Sequence, residues 1–195
     1  MEAQHSNNLP GEYYLRGIIE TASGFKLNAD SSFEFFFSYG ALDRSGKGKW
    51  SVTDNGVMFK SAPFPGKEFK LINSKKTNDD RITIKITDPN TQLLSYVYVI
   101  AGSGEKLTEQ FANKEGIVHF PKQRLDSLTL IFKFCPERES VFNIPAGDHN
   151  YFEFGFEPWL MDVFFDGLVL QKEEEGLKGQ HPLLKPGEYH FVKNK

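Results

Sequence analysis

Ser32-Phe33-Glu34-Phe35-Phe36-Phe37-Ser38-Tyr39 is the stretch that decides the fold. Phe33, Phe35, Phe37 and Tyr39 alternate with Glu34 and Ser38, so an extended chain turns its rings to one side and polar groups to the other. The same period of two runs through Tyr13, Leu15 and Ile19 against Arg16 and Glu20, and through Ile82, Ile84 and Ile86 against Thr83, Lys85 and Thr87. Further strands are predicted over 25–27, 49–52, 57–60, 69–72, 93–100, 117–120, 127–134, 151–156, 162–171 and 188–192. Turn signals separate them: Asn28-Ala29-Asp30-Ser31, Asp54-Asn55-Gly56, Asp88-Pro89-Asn90 and Pro186-Gly187. Short strands at this spacing predict an all-β protein, sandwich or barrel. Helix is expected only over 106–112, as two turns, and at 171–178, where Gly176 and Gly179 weaken it.

Composition narrows the class. The 195 residues are 39% hydrophobic with a mean hydropathy of −0.44, which predicts a soluble globular chain, and no apolar run approaches a bilayer span. No membrane insertion is expected. A formal charge of −3 withholds the general attraction that a nucleic-acid partner needs. The unusual figure is aromatic: 19 Phe against 7 Tyr and 2 Trp, an excess that must serve either packing or a ligand. Cys135 is the only cysteine, so no internal disulfide forms, and its apolar neighbours 128–134 read it as packing rather than nucleophile. Residues 1–9 lack the basic start and apolar stretch of a secretory signal. The expected compartment is the cytoplasm if Met1 is the native start, and secreted or periplasmic if a signal was removed.

Two modules are expected, at 9–92 and 93–195, because the pattern restarts with different strand lengths around Ala101-Gly102-Ser103-Gly104. One interlocked β fold is the alternative. The polar run 73–80 reads as a connection. The first module carries Pro10-Gly11-Glu12-Tyr13-Tyr14, then Phe25-x-Leu27-x-x-Asp30-Ser31-Ser32-Phe33-x-Phe35, Gly46-Lys47-Gly48-Lys49-Trp50-Ser51-Val52 and Asn55-Gly56-Val57-x-Phe59. This order resembles lipocalin-like modules, with Tyr13 where a lipocalin usually has Trp and fewer than eight strands before residue 93. The resemblance implies a partial barrel. Residues 20–25 with 38–43 also resemble bacterial proteins of unassigned activity, which implies a family and no chemistry. In the second module, Tyr98-Val99-Ile100, Gly104 and Asn113-Lys114-Glu115-Gly116-Ile117-Val118-x-Phe120 resemble the opening of carboxypeptidase-regulatory-like and transthyretin-like sandwiches, and Pro186-Gly187-Glu188-Tyr189-x-Phe191 would be the last strand. That resemblance implies a non-catalytic β-sandwich.

Candidate sites lie where polar and aromatic groups end a strand. Ser38-Tyr39-Gly40-Ala41-Leu42-Asp43-Arg44-Ser45-Gly46 closes the Phe-rich strand on a loop where a barrel mouth would lie. Tyr39 and Asp43, joined by Arg16 and Glu20 from the first strand, are the binding candidates, with Phe35, Phe37 and Trp50 to hold a small apolar ligand. The plainer reading makes Gly40 and Gly46 turn residues, Asp43 a cap, and Arg16 and Glu20 surface charges. In 152–165, the densest aromatic segment, Phe152, Phe154 and Phe156 share one face of a core, while Trp159, Met161 and Phe164 are the candidates for contact with a protein partner.

Catalytic and metal patterns are missing from the sequence. Histidines 5, 119, 149, 181 and 190 show no metal-ligand spacing, and no nucleophile elbow or phosphate loop occurs. No cofactor is expected. The acid pairs Glu153 with Glu157 and Asp162 with Asp166 identify no glycosidase. The leading expectation is a non-enzymatic protein that binds a small apolar ligand or a protein partner. The alternatives are an interaction or inhibitory protein with an exposed aromatic patch, and a hydrolase using carboxylate chemistry centred on Asp43.

Overall fold

A computed structural model describes residues 9–195; the reading of the polar N-terminus falls largely on residues 1–8, outside the described ones. The strands are β1 (Gly11–Leu15), β2 (Thr21–Leu27), β3 (Ser32–Tyr39), β4 (Leu42–Thr53), β5 (Gly56–Lys60), β6 (Phe69–Lys75), β7 (Arg81–Thr87), β8 (Val97–Ser103) and β9 (Lys106–Phe111). They continue as β10 (Ile117–Pro121), β11 (Ser127–Phe132), β12 (Glu139–Asn143), β13 (Tyr151–Phe156), β14 (Asp162–Val163), β15 (Asp166–Lys172), β16 (Gly176–Gly179) and β17 (Tyr189–Lys193). The protein is all-β, and its one helical element among the described residues is a 3₁₀ turn, Thr91–Tyr96.

The chain forms two compact units, residues 9–64 with 161–195, and residues 65–160. This division differs from a cut at 92/93. β6 and β7 cannot part from the strands beyond that cut, because β13 pairs with both and β10 pairs with β7. The β modules do not succeed one another; one interrupts the other.

The first unit is a closed antiparallel barrel of eight strands, in the cyclic order β4-β3-β2-β1-β17-β16-β15-β5 and back to β4, with the short β14 alongside β4. The barrel is closed, not the partial one that the motifs imply: β1 to β5 supply five strands, β15, β16 and β17 supply the other three from the far end of the chain, and closure leaves no unpaired barrel edge. Inward positions carry Tyr13, Phe25, Phe33, Phe35, Phe37, Trp50, Phe59 and Phe191, all buried. Phe25 sits at the centre, its ring 4.5 Å from Phe59, 4.9 Å from Phe35 and 5.2 Å from Phe191. Such tilted and edge-on contacts suit the ring quadrupole and add to the area buried. β4 faces these rings with glycines: a Cβ on Gly46 would lie 2.6 Å from the Val163 carbonyl and 2.7 Å from the Phe165 ring. Missing side chains on one strand thus make room for large ones on its neighbour.

The second unit has two four-stranded sheets, β10-β7-β13-β6 and β12-β11-β8-β9. Phe132 meets Phe156 at 5.5 Å and Phe142 meets Phe154 at 4.7 Å, so the sheets pack face to face. Its entry and exit are tied together. The Glu157 amide donates to the Glu68 carbonyl, the Trp159 indole to the Lys67 carbonyl, and Cys135 Sγ and Arg138 Nη2 both to the Leu160 carbonyl. Glu68, 1% exposed, lies 2.6 Å from Arg138 Nε, and its amide donates to Ser140 Oγ.

Several local expectations change. Residues 106–112 are not helical: β9 is a sheet edge exposed along nearly its whole length, so its sequence lacks the alternation that marks a half-buried strand. Residues 171–178 end β15, turn, and begin β16, with Leu177 as the buried anchor. Ile19 is 88% exposed beyond the end of β1, in a turn where Glu20 has φ +60°. Cys135 lies just past β11 and is fully buried.

Candidate ligand-binding groove

The residues expected to form a site do not converge. Strand directions put the 16–20 turn and the 40–41 turn at one end of the barrel, which brings Arg16, Glu20 and Tyr39 to a common rim. All three are exposed, as is Asp43 opposite Ser38, and no hydrogen bond or ion pair joins any of the four to another. Trp50 lies toward the other end of β4, buried, with its indole N–H donating to the Asn28 carbonyl at 3.0 Å. Phe35 and Phe37 point into the packed interior. Trp159, Met161 and Phe164 are half-buried.

At that rim the barrel is closed from inside by His181, 4% exposed. Its ring stacks on Phe191 at an interplanar angle of 13° and lies 5.5 Å from Phe37. The Ser23 hydroxyl donates to the Phe36 carbonyl and therefore accepts from His181 Nε2, at 2.9 Å; Nδ1 accepts from the Leu183 amide. The neutral Nε2–H tautomer is thereby specified, and burial pushes the imidazole down to about 4. His181 is a satisfied core residue. Its bonds anchor the 180–188 segment, whose Leu183 and Leu184 pack on the barrel core.

A concave site of this unit lies on the barrel's outer wall, a groove of about 520 Å³. Its floor is set by strand register. Tyr14, Gly24, Phe36 and Ser45 stand side by side across β1, β2, β3 and β4. One step away, Glu12, Lys26, Glu34 and Lys47 form a second cross-strand row. Gly24 leaves room for the Phe36 ring to lie against the strand: a Cβ there would strike the Tyr13 carbonyl and come within 2.9 Å of Phe36. Tyr14 and Phe36 therefore meet edge to face over it, at 6.1 Å and 62°. Phe36 remains 39% exposed. The Tyr14 hydroxyl donates to Glu12 at 2.8 Å, which fixes the ring and raises the phenol above its ordinary value. Lys26 and Glu34 are 3.8 Å apart. Asp162, Val163 and Phe164 bound one side, with β14 held in place as Arg44 donates to the Met161 and Asp162 carbonyls.

Phe36 and Tyr14 are legible in the sequence as anomalies. Phe36 is an aromatic on the polar phase of its strand, between Glu34 and Ser38, and Tyr14 repeats that departure next to buried Tyr13. What sequence does not supply is the register that sets them beside each other.

Elsewhere the polar clusters are structural. Asn150 accepts from the Thr77 amide and hydroxyl and donates to the carbonyls of Asp79 and Arg81, which organises the 77–81 turn. His149 meets Ser74, and Asp148 pairs with Lys76. Among the described residues no three His, Cys, Asp or Glu side chains group to hold a metal ion, and no helix is long and apolar enough to cross a membrane. Compared with protein-family models, curated proteins and solved structures, the chain matches none.

Proposed function

We propose that the protein is a non-enzymatic binding module that holds a small amphipathic ligand on the outer wall of its barrel. The observation that carries this reading is the exposed Phe36 ring beside Tyr14, on the floor of a groove rimmed by charged side chains. Aromatic floors with a few oriented polar groups are the usual make-up of small-molecule sites. The interior offers no comparable support, since the rings expected to hold an apolar ligand are packed on one another. The lipocalin-like reading of the first motifs belongs to the same proposal, as does the sandwich reading, made for residues 93–195 and carried over to residues 65–160 because β17 pairs in the barrel; the ligand's position distinguishes the protein from an interior-binding lipocalin. The hydrolase reading loses ground, because Asp43 is exposed without an acid or imidazole bonded to it.

A titration with p-cresol, followed through backbone amide shifts, tests the reading. Saturable shifts at 12–14, 24–26, 34–36 and 45–47, lost in Phe36→Ser, are expected. Shifts at the inward residues Phe33, Phe37, Phe59 and Phe191, with none at Glu12, Tyr14, Lys26 or Phe36, would place the ligand inside and refute it.

A further inference from the structure

Resting on that reading, we propose that the groove's ligand is an uncharged glycan, a linear oligosaccharide of neutral sugars. Glu12, Lys26, Glu34 and Lys47 alternate in sign from one strand to the next, in direct cross-strand register. Neighbouring strands are about 4.8 Å apart, so the row spans about 14 Å and its charges cancel. A cation or anion laid along it meets a like charge one strand away from each favourable one. Hydroxyl groups avoid that conflict, because each can accept from a lysine ammonium and donate to a carboxylate.

The adjacent row supplies the other half of sugar recognition. Phe36 presents an exposed aromatic surface, Tyr14 is held by its bond to Glu12, and the two rings close edge to face over Gly24, so that they form one continuous floor on which a sugar ring can lie. A pyranose has one apolar face of C–H groups and a polar perimeter, which matches an aromatic floor beside a two-signed rim. A peptide is matched less well: every strand beneath the floor is paired on both sides, so no free backbone ladder is available for an added strand.

The full chain is titrated with maltotetraose, cellotetraose, xylotetraose, a tetramer of galacturonic acid, and p-cresol, with backbone amide shifts as the readout. At least one neutral tetrasaccharide is expected to shift 12–14, 24–26, 34–36 and 45–47 saturably, and to bind more tightly than the galacturonate tetramer. Phe36→Ala, at an exposed position outside the core, should weaken it about tenfold. Tighter binding of the galacturonate overturns the inference. If p-cresol shifts the groove and no neutral tetrasaccharide does, the glycan assignment falls while the binding-module reading stands; if no compound does, both fall.

Discussion

Acidification should weaken this fold through one buried imidazole. His181 is neutral in the folded chain, with Nε2–H given to Ser23 and Nδ1 engaged by the Leu183 amide, and burial lowers it from 6.5 to about 4. Protonating Nδ1 would set two N–H groups against each other inside a ring of Phe35, Phe37, Tyr189 and Phe191. The unfolded chain takes up its proton below about 6.5 and the folded chain does not until about 4, so the stabilisation is complete above 6.5 and declines as pH falls through that window. At about 1.36 kcal/mol per pH unit, the window is worth about 3 kcal/mol. Urea unfolding of the wild type and His181→Gln, in steps from about pH 7.5 to about pH 4, measures it. Carboxylates held low by their partners, among them Asp79 and Asp126, also destabilise the fold in acid, but they are common to both chains and cancel in the difference. The variant should be less stable near neutrality by about 2 kcal/mol, having lost buried hydrogen bonds, and the two stability curves should cross near about pH 5, leaving the variant the more stable by about 1 kcal/mol near pH 4. Parallel stability curves, or an imidazole resonance of the folded protein titrating near 6.5, would refute the reasoning.

Three further outcomes separate core, wall and clamp. Phe25→Ala should cost about 3–5 kcal/mol in urea unfolding, as a central ring leaves a cavity, whereas Phe36→Ala on the wall, which loses a half-covered ring and its contact with Tyr14, should cost only about 1 kcal/mol. Equal losses would mean that the wall ring is structural. Arg138→Met should destabilise by about 3–5 kcal/mol by depriving buried Glu68 of its ion-pair partner, and adding Glu68→Gln should recover part of that loss. Asn150→Ala removes four hydrogen bonds to residues 77–81 and should raise amide exchange and proteolytic cutting there, with little change elsewhere.

The sequence announces its strands wherever a strand has one wet face and one dry one. β3, β7 and β13 are readable because Phe33, Ile84 and Phe154 lie in phase with their neighbours. β9 is wet on both faces and β16 is short with a single buried side chain, Leu177, so neither leaves a periodic trace. The division into units is illegible for a different reason. Pairing of β5 with β15 joins residues 57–60 to 166–170, and local pattern carries no information about contacts at that separation. Loops at a barrel mouth often bear function, which favours Tyr39 and Asp43 as long as only the sequence is read. The informative residue is Phe36, three positions before Tyr39, whose side chain breaks the alternation of its own strand.

Insertion of one unit within the other imposes an order on biosynthesis. Residues 65–160 form a continuous segment whose sheets can assemble as soon as that segment leaves the ribosome, whereas the barrel lacks its seam until residues 191–193 arrive to pair with β1. Until then β1 and β5 are open edges flanking a Phe-rich sheet, a state prone to association. The early-folding segment lessens the difficulty. With Glu68 bonded to Glu157, a wandering loop of roughly a hundred residues becomes a short, fixed span, and the entropy of bringing β15 to β5 is largely spent before the last strands are made.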